Sequence, residues 1–203
     1  IVSIECDNSF DRLDTIEFVI GQRQIIFFDG FENELTNWML DGDWGLTGDA
    51  ASGEFALSDS PNGNYHEQQE SSAELGLLFE LDYLINPIVR FKAKWDIEPN
   101  WDFVQFQAHV GNTGWISLKG QYTNLGSGNI AQPAGVPGYD GIQLEWINEI
   151  IDLDQLNGEI ITGFRFLQSS DNFVEGDGFI IDDFSISGFP NGMMGDYNLD
   201  ASV

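Results

Sequence analysis

The chain has 203 residues, enough for one large β domain or one domain with appendages, and its 42% hydrophobic and 13% aromatic content fills a core, which excludes general disorder. Thirty-four Asp and Glu against seven Lys and Arg give a net charge of −27, which makes nucleic acid and anionic membranes poor partners. No apolar run approaches the roughly 20 residues of a membrane span, and one cysteine, Cys6, excludes an internal disulfide and a Cys-based zinc cluster.

Such an acidic balance has two readings: solubility or adaptation to salt, and carboxylates gathered around bound cations, for which oxygen-rich sites favour Ca²⁺. Residues 1–24, with alternation in Thr15–Ile20, read as the end of a preceding β domain or a linker strand. A new start comes at "IIFFDGFEN", 25–33. Strand-like runs then recur at 36–40, 44–47, 54–58, 74–81, 87–96, 101–110, 114–118, 144–152, 159–168 and 178–187, with turn signals between them. In 87–96 Val89, Phe91, Ala93 and Trp95 share one face and Arg90, Lys92 and Lys94 the other. In 101–110 Val104, Phe106, Ala108 and Val110 face one way, and Phe103, Gln105, Gln107 and His109 the other. This pattern predicts an all-β antiparallel sandwich over 25–189, with one helical turn within 152–158. The Gly- and Pro-rich stretch 120–143 is a long covering or functional loop.

At 195–203 Asp196, Asn198 and Asp200 alternate as in the first half of a calcium loop, and Ala201 stands where the sharp turn wants Gly. The chain opens at Ile1 without Met or a signal sequence and stops within that motif, so it is expected to be a piece of a longer protein.

Catalytic patterns are weak. "HEQQE", 66–70, has Glu70 where a zinc-binding helix needs its second His. No G-x-S-x-G elbow occurs. Paired carboxylates arise by chance in any chain this acidic. Nothing points to an enzyme.

The acidic positions are more informative. In "GDGFIIDDFSISG", 176–188, strict alternation puts Ile180, Asp182, Phe184 and Ile186 on one side and Phe179, Ile181, Asp183 and Ser185 on the other. Whichever face is buried then carries a carboxylate, at a cost of several kcal/mol if unpaired, about 2–7 for a polar group. Asp29 and Glu32 flank Phe31 near the first strand of the sandwich, which is expected to pair with the last. Convergence of Glu32 with Asp182 or Asp183 asks for a cation, with carbonyls of the turn at 51–55 and Asp59 as further ligands. The alternative is hydrogen bonding of the pair to backbone amides. Asp96, Glu98, Asp102 and Asp177 are candidates for a second ion.

"FFDGFENELTNWMLDGDWGLT", "SGEFALSDSPNGNY" and "GDGFIIDDFSISG" resemble the jelly-roll domains related to MAM and immune-inhibitor-A modules, which accompany secreted bacterial peptidases of zinc carboxypeptidase type. The usual acidic hairpin of those domains is replaced here by Val110-Gly111-Asn112-Thr113-Gly114-Trp115. The opening and closing motifs are also similar to calcium-bearing carbohydrate-binding jelly rolls. By that likeness Glu32 with Asp183 or Asp182 hold a structural Ca²⁺, and Asp29 and Asp59 are weaker ligands. The resemblance covers 25–189, and 190–203 resembles a dockerin-type repeat cut short. It implies a non-catalytic, calcium-stabilised accessory module of a secreted or cell-surface bacterial hydrolase, in contact with neighbouring domains or an extracellular protein. The alternative is a carbohydrate-binding module, in which exposed aromatics and amides hold glycan. Candidates for that role are Trp101, Phe103, Gln105, Gln107, His109 and Tyr122, with Tyr65, Tyr139 and Trp146 nearby in sequence or on loops.

Overall fold

The computed structural model describes residues 4–5, 15–16, 21–156 and 158–191. Its strands in chain order are β1 (Ile4–Glu5), β2 (Thr15–Ile16), β3 (Gln24–Asp29), β4 (Trp38–Asp41), β5 (Gly45–Thr47), β6 (Ala56–Ser58), β7 (Glu70–Leu75), β8 (Leu84–Ile97), β9 (Phe103–Val110), β10 (Gly114–Ser117), β11 (Asn124–Leu125), β12 (Pro137–Gly138), β13 (Gly141–Asp152), β14 (Ile161–Ser169) and β15 (Gly178–Pro190). A single 3-10 turn, Asp154–Leu156, falls within the predicted helical stretch. No helix among the described residues is long and apolar enough to cross a membrane. The half calcium loop at Asp196, Asn198 and Asp200 lies outside the described residues. Of the opening stretch 1–24, the described part before Gly21 is the antiparallel pair β1–β2.

The fold is an antiparallel β-sandwich of jelly-roll type. One sheet has the order β10-β9-β14-β7-β4, the other β13-β8-β15-β6-β5, with β3 also paired to β15. The alternation read in 87–96 and 101–110 explains why two sheets form. Val89, Phe91, Ala93 and Trp95 of β8 meet Val104, Phe106, Ala108 and Val110 of β9 in a single core. Aromatic rings fill its centre: Phe106 stacks on Phe164 at 5.6 Å, and Phe91 on Phe184 at 6.2 Å. Such pairs add about 0.5–1.5 kcal/mol each beyond area burial.

Two expectations are corrected. The strand expected at 74–81 is β7, Glu70–Leu75, whose inward residues Ser71, Ala73 and Leu75 include two too small to register as an apolar stripe. The strict alternation expected through 179–187 is broken. Register shifts between Asp182 and Ser185, and Asp183 takes a φ of 50°. This bulge inserts one residue, so Phe179, Ile181, Phe184 and Ile186 all reach the core, while Asp182, fully buried, bonds to the turn at 51–52.

Candidate functional site

The bulge lies where β15 changes partners. Its Ile180–Ile181 pair with β6 and its 184–188 segment pairs with β3, as expected for the first and last strands of the sandwich. Between these ladders the turn 51–55 approaches with amides that no strand satisfies, and carboxylates satisfy them. Asp182 Oδ2 accepts from the amides of Ala51 (2.9 Å) and Ser52 (2.8 Å), and its Oδ1 from that of Asp183 (2.6 Å). Glu32 Oε1 accepts from the amides of Glu54 (2.9 Å) and Phe55 (3.0 Å). Asp183 accepts from Ser52 Oγ and pairs with Lys92 Nζ, both at 2.8 Å. Burial, with the Asp183 charge, holds the Asp182 carboxyl above its usual range although the amides pull it down. Gly53 is needed here: its φ is +67°, and a Cβ would lie 2.1 Å from Glu32 Oε1.

The other two candidate ligands lie apart from this turn. Asp29 bridges the amide of Phe31 (2.8 Å) and Trp38 Nε1 (2.9 Å). Asp59 is fully buried, accepts from the amide of Phe179 (2.9 Å) and Ser60 Oγ (2.8 Å), and leaves Oδ2 without a partner. Burial pushes its carboxyl up to about 7. The turn 51–55 shows Glu32 and Asp182 its N–H groups, the backbone-amide partners expected as the alternative to an ion. Calcium at Glu32, Asp182 and Asp183 is a proposal that requires the turn to present its carbonyls.

A different acidic group does come together. Glu98 and Asp102, in the turn between β8 and β9, meet Asp171, which follows β14. Asp96 and Asp177, expected with the first two, are not in the group.

The outer face of the five-stranded sheet forms rows set by strand register. One row runs Met39, Glu74, Arg165, Gln107, Ser117 from β4 to β10; the next holds His109 and Trp115. Arg165 Nε donates to Gln107 Oε1 at 2.7 Å, Gln107 Nε2 to Gln105 Oε1 at 2.8 Å, and Ser117 Oγ to Gln105 Oε1 at 2.6 Å. The Arg165 guanidinium also lies 4.3 Å from the Trp115 ring centre, against whose edge His109 packs at 5.0 Å. Burial lowers the Arg165 pKa, and the charges of Glu74 and Glu70 oppose that fall. Toward the Glu70–Ser169 end of this face opens a cleft of about 340 Å³, lined also by Gln68, Gln69, Ile130 and Asp171.

Of the residues expected to hold a ligand, Gln105, Gln107 and His109 lie on this face, the two glutamines buried at 5% and 7% exposure and His109 half-buried. Phe103 shares it but is fully buried under the loop, where a Cβ at position 138 would lie 2.6 Å from its ring. Trp101 is exposed in the β8–β9 turn. Tyr122 is exposed too, but its amide is held by Glu149 of β13, in the other sheet. Trp146 lies under Lys94 on β13, while Tyr65 and Tyr139 are buried. Sequence reasoning missed Trp115, Arg165 and Glu74. The signal for Trp115 was present in the hairpin 110–114, which sets it opposite His109.

No protein-family model matches the sequence, and no curated protein is significantly similar to it. Among solved structures, the CBM22-1 xylan-binding domain of Paenibacillus barcinonensis Xyn10C is similar to it, with 13% identity and a TM-score of 0.48 over 85% of this chain and 99% of that one. TmCBM27, a carbohydrate-binding module studied for specific mannan recognition, has 13% identity and a TM-score of 0.42 over 83% and 99%. The C-terminal family 22 carbohydrate-binding module of Clostridium thermocellum Xyn10B has 13% identity and a TM-score of 0.42 over 82% and 94%.

Proposed function

We propose that the domain is a non-catalytic module that binds glycan on the outer face of its five-stranded sheet. The observation that carries this reading is the Arg165–Gln107–Gln105–Ser117 network beside Trp115. A sugar ring offers hydroxyls that need paired donors and acceptors, and C–H faces that pack on an aromatic. A guanidinium, two amides, a hydroxyl and the Glu74 carboxylate supply the first, and Trp115 the second. Because these groups are already bonded to one another on adjacent strands, little side-chain entropy remains to be lost on binding. The test is calorimetric titration with soluble neutral polysaccharides, xylan and mannan among them. We expect binding to at least one, weakened tenfold or more by Trp115→Ala. A folded chain that binds none of them refutes the reading.

A place in a secreted bacterial hydrolase belongs to the same proposal. A peptidase parent has support only from the motif resemblance, and nothing in the geometry favours it over a parent that acts on glycan. The full reading frame that encodes the chain tests this part: a hydrolase domain in it supports the reading, and a frame without one refutes it.

A further inference from the structure

Glu98, Asp102 and Asp171 bring one carboxylate oxygen each to within 4.8 Å of the others. Asp102 is fully buried; its Oδ2 accepts from Tyr65 Oη and its Oδ1 from the Asp171 amide, both at 2.7 Å. Oε2 of Glu98 is shut off from solvent and accepts no hydrogen bond. An acceptor so placed costs free energy unless something donates to it or coordinates it. No ion pair among the described residues reaches the three, although Lys92 and Lys94 do meet carboxylates elsewhere. Negative charge thus gathers where no positive side chain among the described residues answers it.

We propose that Glu98, Asp102 and Asp171 hold a divalent cation, and that the ion is Ca²⁺. The donors are all hard oxygens, with neither His nor Cys among them, which disfavours zinc and copper. Ligand oxygens on opposite sides of a calcium ion stand about 4.6–5.2 Å apart, twice the bond length of about 2.3–2.6 Å, so three oxygens no more than 4.8 Å from one another can share one ion. Magnesium demands near-ideal octahedral geometry and gives up its waters reluctantly, so a cage of three protein carboxylates suits it less well. The ion ties the β8–β9 turn to the segment after β14, and so fixes Asp171, a wall residue of the 340 Å³ cleft. The proposal stands apart from the glycan reading, and its test uses no sugar.

The experiment is thermal melting and calorimetric Ca²⁺ titration of the whole chain after chelation, with Glu98→Gln, Asp171→Asn and, as a control at the other acidic group, Asp183→Asn. Calcium is expected to raise the wild-type melting temperature. Glu98→Gln and Asp171→Asn should each weaken the binding of one ion at least tenfold, while Asp183→Asn leaves that ion's affinity unchanged. In chelator Asp171→Asn should melt no lower than wild type, since it relieves repulsion, and Glu98→Gln gives an independent reading if it does. An unresponsive wild-type melt overturns the site. So does a full calcium response retained in both Glu98→Gln and Asp171→Asn.

Discussion

Glu32 and Asp182 hold one turn from its two ends. Glu32 takes the amides of Glu54 and Phe55, and Asp182 those of Ala51 and Ser52. The turn fills the gap where β15 exchanges β6 for β3, a place where no strand can satisfy its backbone. Hydrogen bonds to a charged acceptor contribute about 1.5–3 kcal/mol each, more than neutral ones, and leaving buried amides unpaired costs about as much again. Asp182→Ala should therefore lower stability by about 3 kcal/mol in urea unfolding, and Glu32→Gln, at a more exposed position, by about 1 kcal/mol. Amide exchange separates this clasp from a calcium-dependent one: Ala51, Ser52, Glu54 and Phe55 should be protected in chelator. Fast exchange there, slowed by calcium, would mean that an ion holds the turn.

The Asp182–Asp183 pair also shows where sequence reading reached its limit. Apolar alternation located the last strand, its pairing with the first, and the importance of both aspartates. It could not show the bulge, because one inserted residue leaves composition unchanged and only reverses the parity of everything after it. The same holds for the outer face of β9. Alternation placed Phe103, Gln105, Gln107 and His109 together, but the burial of Phe103 depends on a loop more than thirty residues away, which local pattern does not encode. The row that joins Arg165 to Gln107 is likewise set by register between strands far apart in sequence.

Asp59 predicts a pH dependence. Its carboxyl is pushed from 3.8 to about 7 in the folded chain, so the folded state holds more protons than the unfolded one between those values. Stability from this group is therefore greatest at low pH and falls as pH rises across that window, by about 4 kcal/mol at most. Asp59→Asn keeps an acceptor for the Phe179 amide and carries no charge. Its stability should change less between pH 4 and pH 8 than that of wild type, and at pH 8 it should match or exceed it. Parallel pH profiles in urea would contradict this. Gly178 is needed beside this carboxyl, since its φ is +89° and a Cβ there would lie 2.0 Å from Asp59 Oδ1.

Glu149 anchors the long loop. Its buried carboxylate accepts from the amides of Gln121 (2.6 Å), Tyr122 (3.0 Å) and Ile150 (2.7 Å), and from Tyr139 Oη (3.0 Å). Glu149→Gln puts an amide donor where only acceptors fit, and should cost about 2–3 kcal/mol with faster exchange at Gln121 and Tyr122. Tyr139→Phe removes one donor and should cost about 1 kcal/mol. An equal loss in the two variants would show that Tyr139, rather than the amides, carries the anchor.

Arg165 offers the sharpest separation of binding from folding. It has two roles: its Nε fixes Gln107, and its guanidinium plane lies against Trp115. Lysine keeps the charge but has neither the plane nor the forked donors, so Arg165→Lys disorders Gln107 and frees the indole without emptying the core. The expected result is a glycan affinity lowered about tenfold, or 1.4 kcal/mol, with a melting temperature within about 4 °C of wild type, since about 1 kcal/mol moves a domain of this size 2–4 °C. Ser117→Ala, which removes one donor to Gln105, should fall between Arg165→Lys and wild type. If Arg165→Lys binds glycan as wild type does, the ligand lies elsewhere on the sandwich. The outer network would then only brace β9 against β14.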